Sequence, residues 1–385
     1  MQYRRFGKLE WEPSALGFGA MRLPILDNQQ AKIDEPEAIA MIRRCIDSGV
    51  NYVDTAYPYH DGSSEPCVGR ALKDGYREKV RLATKQPTWF INQAADFDRY
   101  LKEQLERLQT DRIDFYLLHG MNRDNWSKVR DLGVLKWAEG VMADGRIGHL
   151  GFSFHDDFDV FRQIVDDYDH WTFCQIQYNY MDVDYQAGTK GLRYAAEKGL
   201  AVVIMEPLRG GNLTKEPPKG IARILADAPA KRSQADWALQ WLWNDPDVSL
   251  VLSGMTTMQH VEENLASANR SGVGNLTPEE LETLERVREA YKALNPIPCT
   301  SCQYCMPCPN GVNIPGIFSV YNDAVIYDDA RKGRFLYRGP TGLKESERAH
   351  NCVECGECEE KCPQEIPVAK WLKKVEDLLG PKKKA

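Results

Sequence analysis

One alternation constrains the fold more than any other feature. Eight short apolar runs recur between residues 14 and 255, separated by stretches with helical periodicity. The runs are SALGFGAM (14–21), NYVDTA (51–56), VRLATK (80–85), IDFYLLH (113–119), HLGFSF (149–154), FCQIQYN (173–179), LAVVIMEP (200–207) and VSLVLSGM (248–255). Most are rich in β-branched or aromatic residues and bounded by Gly, Pro or Asp, the pattern of strands buried on both faces. Helical patterns occupy 35–49, 96–110, 125–145, 185–199, 233–245 and 257–269. In the first, Pro stands near the start and Gly at the end; in the second, Leu101, Leu105 and Leu108 share one face. Eight strand–helix units over about 250 residues predict an α/β fold, a (β/α)8 TIM barrel. An open doubly wound sheet is the alternative, but no Gly-x-Gly-x-x-Gly turn follows the first run.

A further helix pattern at 276–294 stops at Asn295-Pro296-Ile297-Pro298. A boundary is expected there: residues 1–294 as the barrel, 295–385 as a small, mostly α domain. The second part holds eight of the eleven cysteines, in clusters at 299–308 and 352–362; Cys45, Cys67 and Cys174 are scattered. The N-terminus lacks the apolar core of a signal peptide, so a cytoplasmic, reducing location is expected, where disulfides are rare. No run of about 18 apolar residues calls for a membrane. The net charge of −7 provides no general basic footprint for nucleic acid.

In a barrel, the active site lies at the C-terminal ends of the strands. There the second run ends on Asp54, with Tyr59 five residues on; the third ends on Lys85 and the fourth on His119. Each alone is ordinary: a helix cap, loop packing, a solvated charge, a core histidine. Together they put titratable groups from three neighbouring strands on one face, a set suited to carbonyl reduction. That reaction needs a hydride at carbon and a proton at oxygen. Tyrosine, with a pKa of about 10, holds its proton too tightly at neutral pH, and an adjacent ammonium favours the phenolate. An aspartate keeps that lysine charged, and a histidine can hydrogen-bond the substrate oxygen.

The stretches VDTAYPYHDGSSE (53–65), LATK (82–85), DFYLLHG (114–120) and VEEN (261–264) resemble the aldo/keto reductase family, over roughly residues 1–292. The resemblance implies a catalytic tetrad: Tyr59 as acid/base, Lys85 as its modulator, Asp54 as the lysine's partner and His119 orienting the substrate. It also implies a nicotinamide cofactor held without a Rossmann domain. Gly19, Ala20 and Met21 would line the nicotinamide, and Ser153 and Gln175 would hold its carboxamide. Met205 stands where an aromatic residue commonly stacks. The loop 206–213, with Leu208 and Gly210, would follow the pyrophosphate, and Glu263 and Asn264 the adenine. The family's usual 2′-phosphate pocket has Lys-Ser followed by Arg, and here Gly254, Met255 and His260 stand there. NADP is the family default, with NAD open. Phe154 likewise replaces a common asparagine. Trp89, Met21 and Trp126 are candidates for an apolar substrate wall or for plain packing.

CVECGECEEKCP (352–363) matches the bacterial ferredoxin run C-x2-C-x2-C-x3-C-P in every spacing. CTSCQYCMPCP (299–309) has x2 before its last cysteine. Zinc would use the same ligands, but its sites pair two well-separated C-x2-C units, so iron–sulfur is favoured. By the ferredoxin pattern, in which each fourth cysteine ligates the other cluster, one [4Fe-4S] cluster would take Cys299, Cys302, Cys305 and Cys362. The other would take Cys352, Cys355, Cys358 and Cys308. A single cluster is the alternative, because Cys308 arrives one residue early. The expected activity is reduction of a small aldehyde or ketone by NAD(P)H. The alternative is a nicotinamide-binding redox subunit whose clusters do the work with an external electron-transfer partner.

Overall fold

The computed structural model describes residues 1–299, 304–339, 342–362 and 364–381. By packing, the chain divides into two compact units: Met1–Thr214 with Pro229–Glu282, and Lys215–Ala228 with Thr283–Ala385. The composition change marks 294/295, whereas the packing division crosses the helix at 278–293 and assigns 215–228 to the second unit.

The first unit is the closed eight-stranded parallel barrel expected. Its strands are β1 (Leu16–Gly19), β2 (Tyr52–Asp54), β3 (Arg81–Gln86), β4 (Ile113–Met121), β5 (Ile147–Phe154), β6 (Phe173–Gln177), β7 (Ala201–Met205) and β8 (Leu250–Ser253). Each pairs with its sequence neighbour, and β1 closes on β8 with Leu16 opposite Val251 and Phe18 opposite Ser253. Helices on the outside are α1 (Glu35–Asp47), α2 (Ser64–Ala71), α3 (Ala95–Leu108), α4 (Arg123–Asp131), α5 (Val134–Ala143), α6 (Phe158–Asp166) and α7 (Gly188–Glu197). The helix expected over 125–145 is two, α4 and α5, because Gly133 takes a left-handed φ of 83° between them. The short α2 has no clear periodic signal; Pro66 sits in its first turn, where a missing N–H costs nothing.

Inside the barrel, Phe6, Tyr52, Phe115 and Phe173 pack with ring centroids 5.0–6.4 Å apart. Tyr52 and Phe173 begin their strands and Phe115 stands early in β4, so this plug fills the N-terminal end and leaves the other end open for a site. Full burial of each ring contributes about 1.5–3 kcal/mol.

Next come α8 (Lys219–Ala226), α9 (Gln234–Trp243), α10 (Met258–Asn269) and α11 (Pro278–Ala293), then α12 (Ile314–Ile326), α13 (Ala330–Arg338), α14 (Glu357–Glu360) and α15 (Val368–Leu379). In the second unit, Ile297, Val312, Ile317, Phe318, Leu372 and Val375 form a small core against which six half-buried cysteines pack. No helix among the described residues is long and apolar enough to cross a membrane.

Candidate active site and cysteine cavity

The open end of the barrel brings the four tetrad candidates together. Lys85, on β3, is wholly buried and donates to Asp54 Oδ1 at 2.6 Å and to the Thr55 carbonyl at 2.8 Å. Its ammonium lies 4.9 Å from the Tyr59 ring centroid. Tyr59 opens a 3-10 turn at 59–62 and meets the His119 ring edge-on at 5.8 Å. His60, which the sequence reading passed over, secures this turn: its buried Nε2 accepts from the Leu23 N–H at 3.1 Å, which leaves Nδ1–H to donate to the Gln30 carbonyl at 3.0 Å.

Burial and charge set the protonation states. Burial alone would discharge Lys85, but Asp54 and then Tyr59 outweigh it, and the ammonium is held above the usual lysine value. Burial pushes the Tyr59 phenol above the ordinary tyrosine value, with Lys85 pulling against it. Burial, then Lys85 and His155, hold His119 well below the usual histidine value, so its imidazole is neutral at neutral pH. His119 Nδ1 is buried with no hydrogen-bond partner.

Residues expected at the nicotinamide occupy the same rim. Gly19 ends β1, and a Cβ there would lie 3.3 Å from the Ser253 carbonyl. Ala20 is buried beside it and Met21 is exposed. Ser153 and Gln175 are register partners on β5 and β6. Ser153 Oγ accepts from the Gly120 N–H at 2.8 Å, which leaves its hydroxyl hydrogen available. Gln175 Nε2 reaches the Met205 sulfur at 3.5 Å, while its buried Oε1 has no partner. A donor and an unpaired acceptor side by side fit a primary carboxamide. Met205 ends β7, and Leu208 and Gly210 follow in a loop where Gly210 and Gly211 take φ of 64° and 88°. Glu263 is exposed on α10 and accepts from Gln259 at 2.8 Å. Asn264 turns inward, buried, and donates to Ser253 Oγ at 2.9 Å.

Of the three candidates for an apolar wall or plain packing, Trp126 takes the second role. Trp89 is 38% exposed with its ring 4.7 Å from His119, and Met21 is 50% exposed. Trp126 is buried instead, packs on Trp171 and donates to Asp167 at 2.8 Å, so it belongs to the helix layer. Phe154 and Met255 are buried core residues. His260 is exposed in the first turn of α10.

In the second unit, Cys305, Cys308, Cys352, Cys355 and Cys358 line one cavity of about 240 Å³, with Pro307, Pro309 and Leu372. The early arrival of Cys308 therefore does not separate it from the 352–358 run. Gly356, at φ 84°, turns the chain between Cys355 and Cys358, and the Glu354 N–H donates to Cys352 Sγ at 3.4 Å. Among the described residues no three ligand side chains converge on one ion-sized point. Thiols spread around a cavity fit a cluster several atoms across. Cys299 and Cys362 are half-buried against the same core; Cys302 lies outside the described residues. None of the ten described cysteines is in a disulfide.

Residues 15–289 match the aldo/keto reductase family and residues 298–366 the 4Fe-4S dicluster domain. An uncharacterised oxidoreductase of Bacillus subtilis is 25% identical, over 76% of this chain and 99% of its own. The L-galactose dehydrogenase of Arabidopsis thaliana is 26% identical, over 76% of this chain and 96% of its own. An aldo-keto reductase of Bacillus halodurans in its holo form superposes with a TM-score of 0.62 at 27% identity, covering 74% of this chain and 96% of its own. One of Klebsiella pneumoniae in complex with NADPH gives 0.60 at 26% identity, covering 74% and 95%. With its closed barrel and the matched span of 15–289, this chain is a member of the aldo/keto reductase family, and a 4Fe-4S dicluster domain follows the barrel in sequence.

Proposed function

We propose that the barrel reduces an aldehyde or ketone, with Tyr59 as the proton donor. The observation that carries this reading is the buried Lys85 ammonium, held between the Asp54 carboxylate at 2.6 Å and the Tyr59 ring. A reduced nicotinamide, when bound, supplies the hydride to the carbonyl carbon. The Tyr59 hydroxyl gives its proton to the carbonyl oxygen, and the Lys85 ammonium stabilises the phenolate left behind. Asp54 keeps Lys85 charged. Neutral His119 donates a hydrogen bond to the substrate oxygen and orients it. Solvent returns the proton to Tyr59. Ser153 and Gln175 would hold the carboxamide, and Gly19, Ala20, Met21, Met205, Leu208, Gly210, Glu263 and Asn264 the rest of an NADP or NAD molecule. The NADPH complex of the Klebsiella relative supports NADP as the first candidate.

For the second unit, the reading is two [4Fe-4S] clusters: one on Cys352, Cys355, Cys358 and Cys308, the other on Cys299, Cys302, Cys305 and Cys362. All four members of the first set line one cavity, which Cys305 of the second set borders as well. Such thiolate sites suit a reducing cytoplasm. The test of the barrel reading is Tyr59→Phe. Loss of NADPH- or NADH-dependent reduction of p-nitrobenzaldehyde, with nucleotide binding intact, is expected; unchanged turnover would sink it.

A further inference from the structure

Behind Lys85, on the helix side of β3, lies a buried carboxylate that the proposed chemistry does not use. Glu65, on α2, is wholly buried. Its Oε1 accepts from Thr84 Oγ1 at 2.7 Å and from Gln104 Nε2 at 2.6 Å, and its Oε2 faces Arg107 Nη1 at 3.3 Å. Gln104, on α3, also donates from Nε2 to the Lys85 carbonyl at 3.0 Å. Its Oε1 accepts from the Tyr116 hydroxyl at 2.6 Å. Side chains alternate along a strand, so Thr84 points to the helices while Lys85 points to the barrel mouth. Glu65 therefore grips the residue before Lys85 through its side chain, and Lys85 itself through Gln104 and its carbonyl. The adjacent Ser64 grips the neighbouring strand ends: its Oγ lies 2.8 Å from Thr55 Oγ1 and donates to the Ala20 carbonyl at 2.9 Å. A carboxylate with no solvent is costly to hold for packing alone, since hydrocarbon fills such space at less expense.

We propose that Glu65 is a positioning residue for Lys85: through Thr84 and Gln104 it holds the end of β3 where the ammonium reaches both Asp54 and Tyr59. The proposal rests on the reading of Lys85 and Tyr59 given above. The charged and titratable groups facing that pair are Asp54, His119 and Glu206. Those facing Glu65 are Arg107 and Tyr116.

The test uses the full-length protein with p-nitrobenzaldehyde and NADPH or NADH, comparing Glu65→Ala, Glu65→Gln and Tyr59→Phe. A misplaced catalytic group costs about a hundredfold, so Glu65→Ala should lower kcat by that order and leave nucleotide Kd, read by tryptophan fluorescence, within about twofold. Its alkaline limb in kcat/KM should move upward, because Lys85 no longer favours the phenolate. Glu65→Gln keeps an acceptor for Thr84 and Gln104 and should stay within about tenfold of the parent kcat. If Glu65→Ala fails to fold, Gln104→Leu, which cuts the bridge to the Lys85 carbonyl, carries the same expectation for kcat and the alkaline limb. A folded variant with unchanged kcat and an unmoved limb overturns the proposal, and a lowered melting temperature alone would mark Glu65 as packing. Unchanged reduction in Tyr59→Phe would instead remove the tetrad reading and leave Lys85 nothing to be positioned for.

Discussion

Lys85 Nζ lies 2.6 Å from Asp54 Oδ1, with the lysine wholly buried and the aspartate 2% exposed. Neither charge has water to fall back on, so each depends on the other. Removing one partner of such a pair costs about 3–5 kcal/mol, because the survivor is left uncompensated. Lys85→Met is therefore expected to lose about that much stability in urea unfolding, besides losing carbonyl reduction. Activity lost without any loss of stability would contradict the buried pair.

The protonation states predict a lopsided pH profile. Burial raises the Tyr59 phenol above its ordinary value of about 10, with Lys85 opposing. Reduction, measured as kcat/KM, should stay flat through neutral pH and fall only in the strongly alkaline range as Tyr59 loses its proton. His119, held well below its usual value, should put no inflection between about pH 5 and 7. An inflection in that window that vanishes in His119→Asn would refute the neutral imidazole.

The same histidine links stability to acid. A group whose folded pKa is depressed contributes stability above its unfolded pKa and loses it as pH falls towards the folded value. For His119 the loss begins near pH ~6.5, where the unfolded chain takes up a proton that the folded site refuses. His119→Asn should flatten the pH dependence of the urea midpoint below that point. A parallel dependence in variant and parent would assign the effect to other groups.

Cofactor preference turns on the end of β8 and the start of α10. A Cβ on Gly254 would lie 3.2 Å from Arg22 Cβ and Cγ, so a lysine there must first displace the arginine stem. His260 is exposed, and its Nδ1 accepts from the Thr256 N–H at 3.4 Å. An arginine fork matches a phosphate better than an imidazole does. His260→Arg is therefore expected to tighten NADPH binding about tenfold and leave NADH unchanged, as read by fluorescence titration. Equal gains for both nucleotides would place residue 260 away from the 2′-phosphate.

Cys308 tests the proposed cluster count. Two [4Fe-4S] clusters correspond to about eight irons per chain. Cys308 lines one cavity with Cys305, Cys352, Cys355 and Cys358, and on the proposed ligand set Cys308→Ser should lower iron and sulfide by about half in anaerobic preparations. Full iron retention would remove Cys308 from the ligand set.

Much of the site was legible because its spacing is local. Asp54 and Tyr59 lie five residues apart across one strand end, and Lys85 and His119 each close an apolar run, so the period of the strands carries them to one face. Trp126 stays open between wall and packing in the sequence, because a tryptophan after a strand looks the same whether its helix turns it towards the mouth or, as here, into the layer beside Trp171. Within the stretch 53–65 nothing local sets Glu65 apart; only its buried contacts with Thr84 and Gln104 give it a role.

By itself, the sequence determined the eight strand–helix units, the order of the four tetrad candidates and the two cysteine runs, since strand alternation and cysteine spacing are properties of neighbouring residues. Tertiary structure decided that β1 closes on β8, that 215–228 packs with the second unit, and that Cys308 shares a cavity with the run at 352–358. Those outcomes join residues far apart in the chain. A local pattern states that a face is apolar or a thiol is present; only the folded chain selects which distant partner meets it.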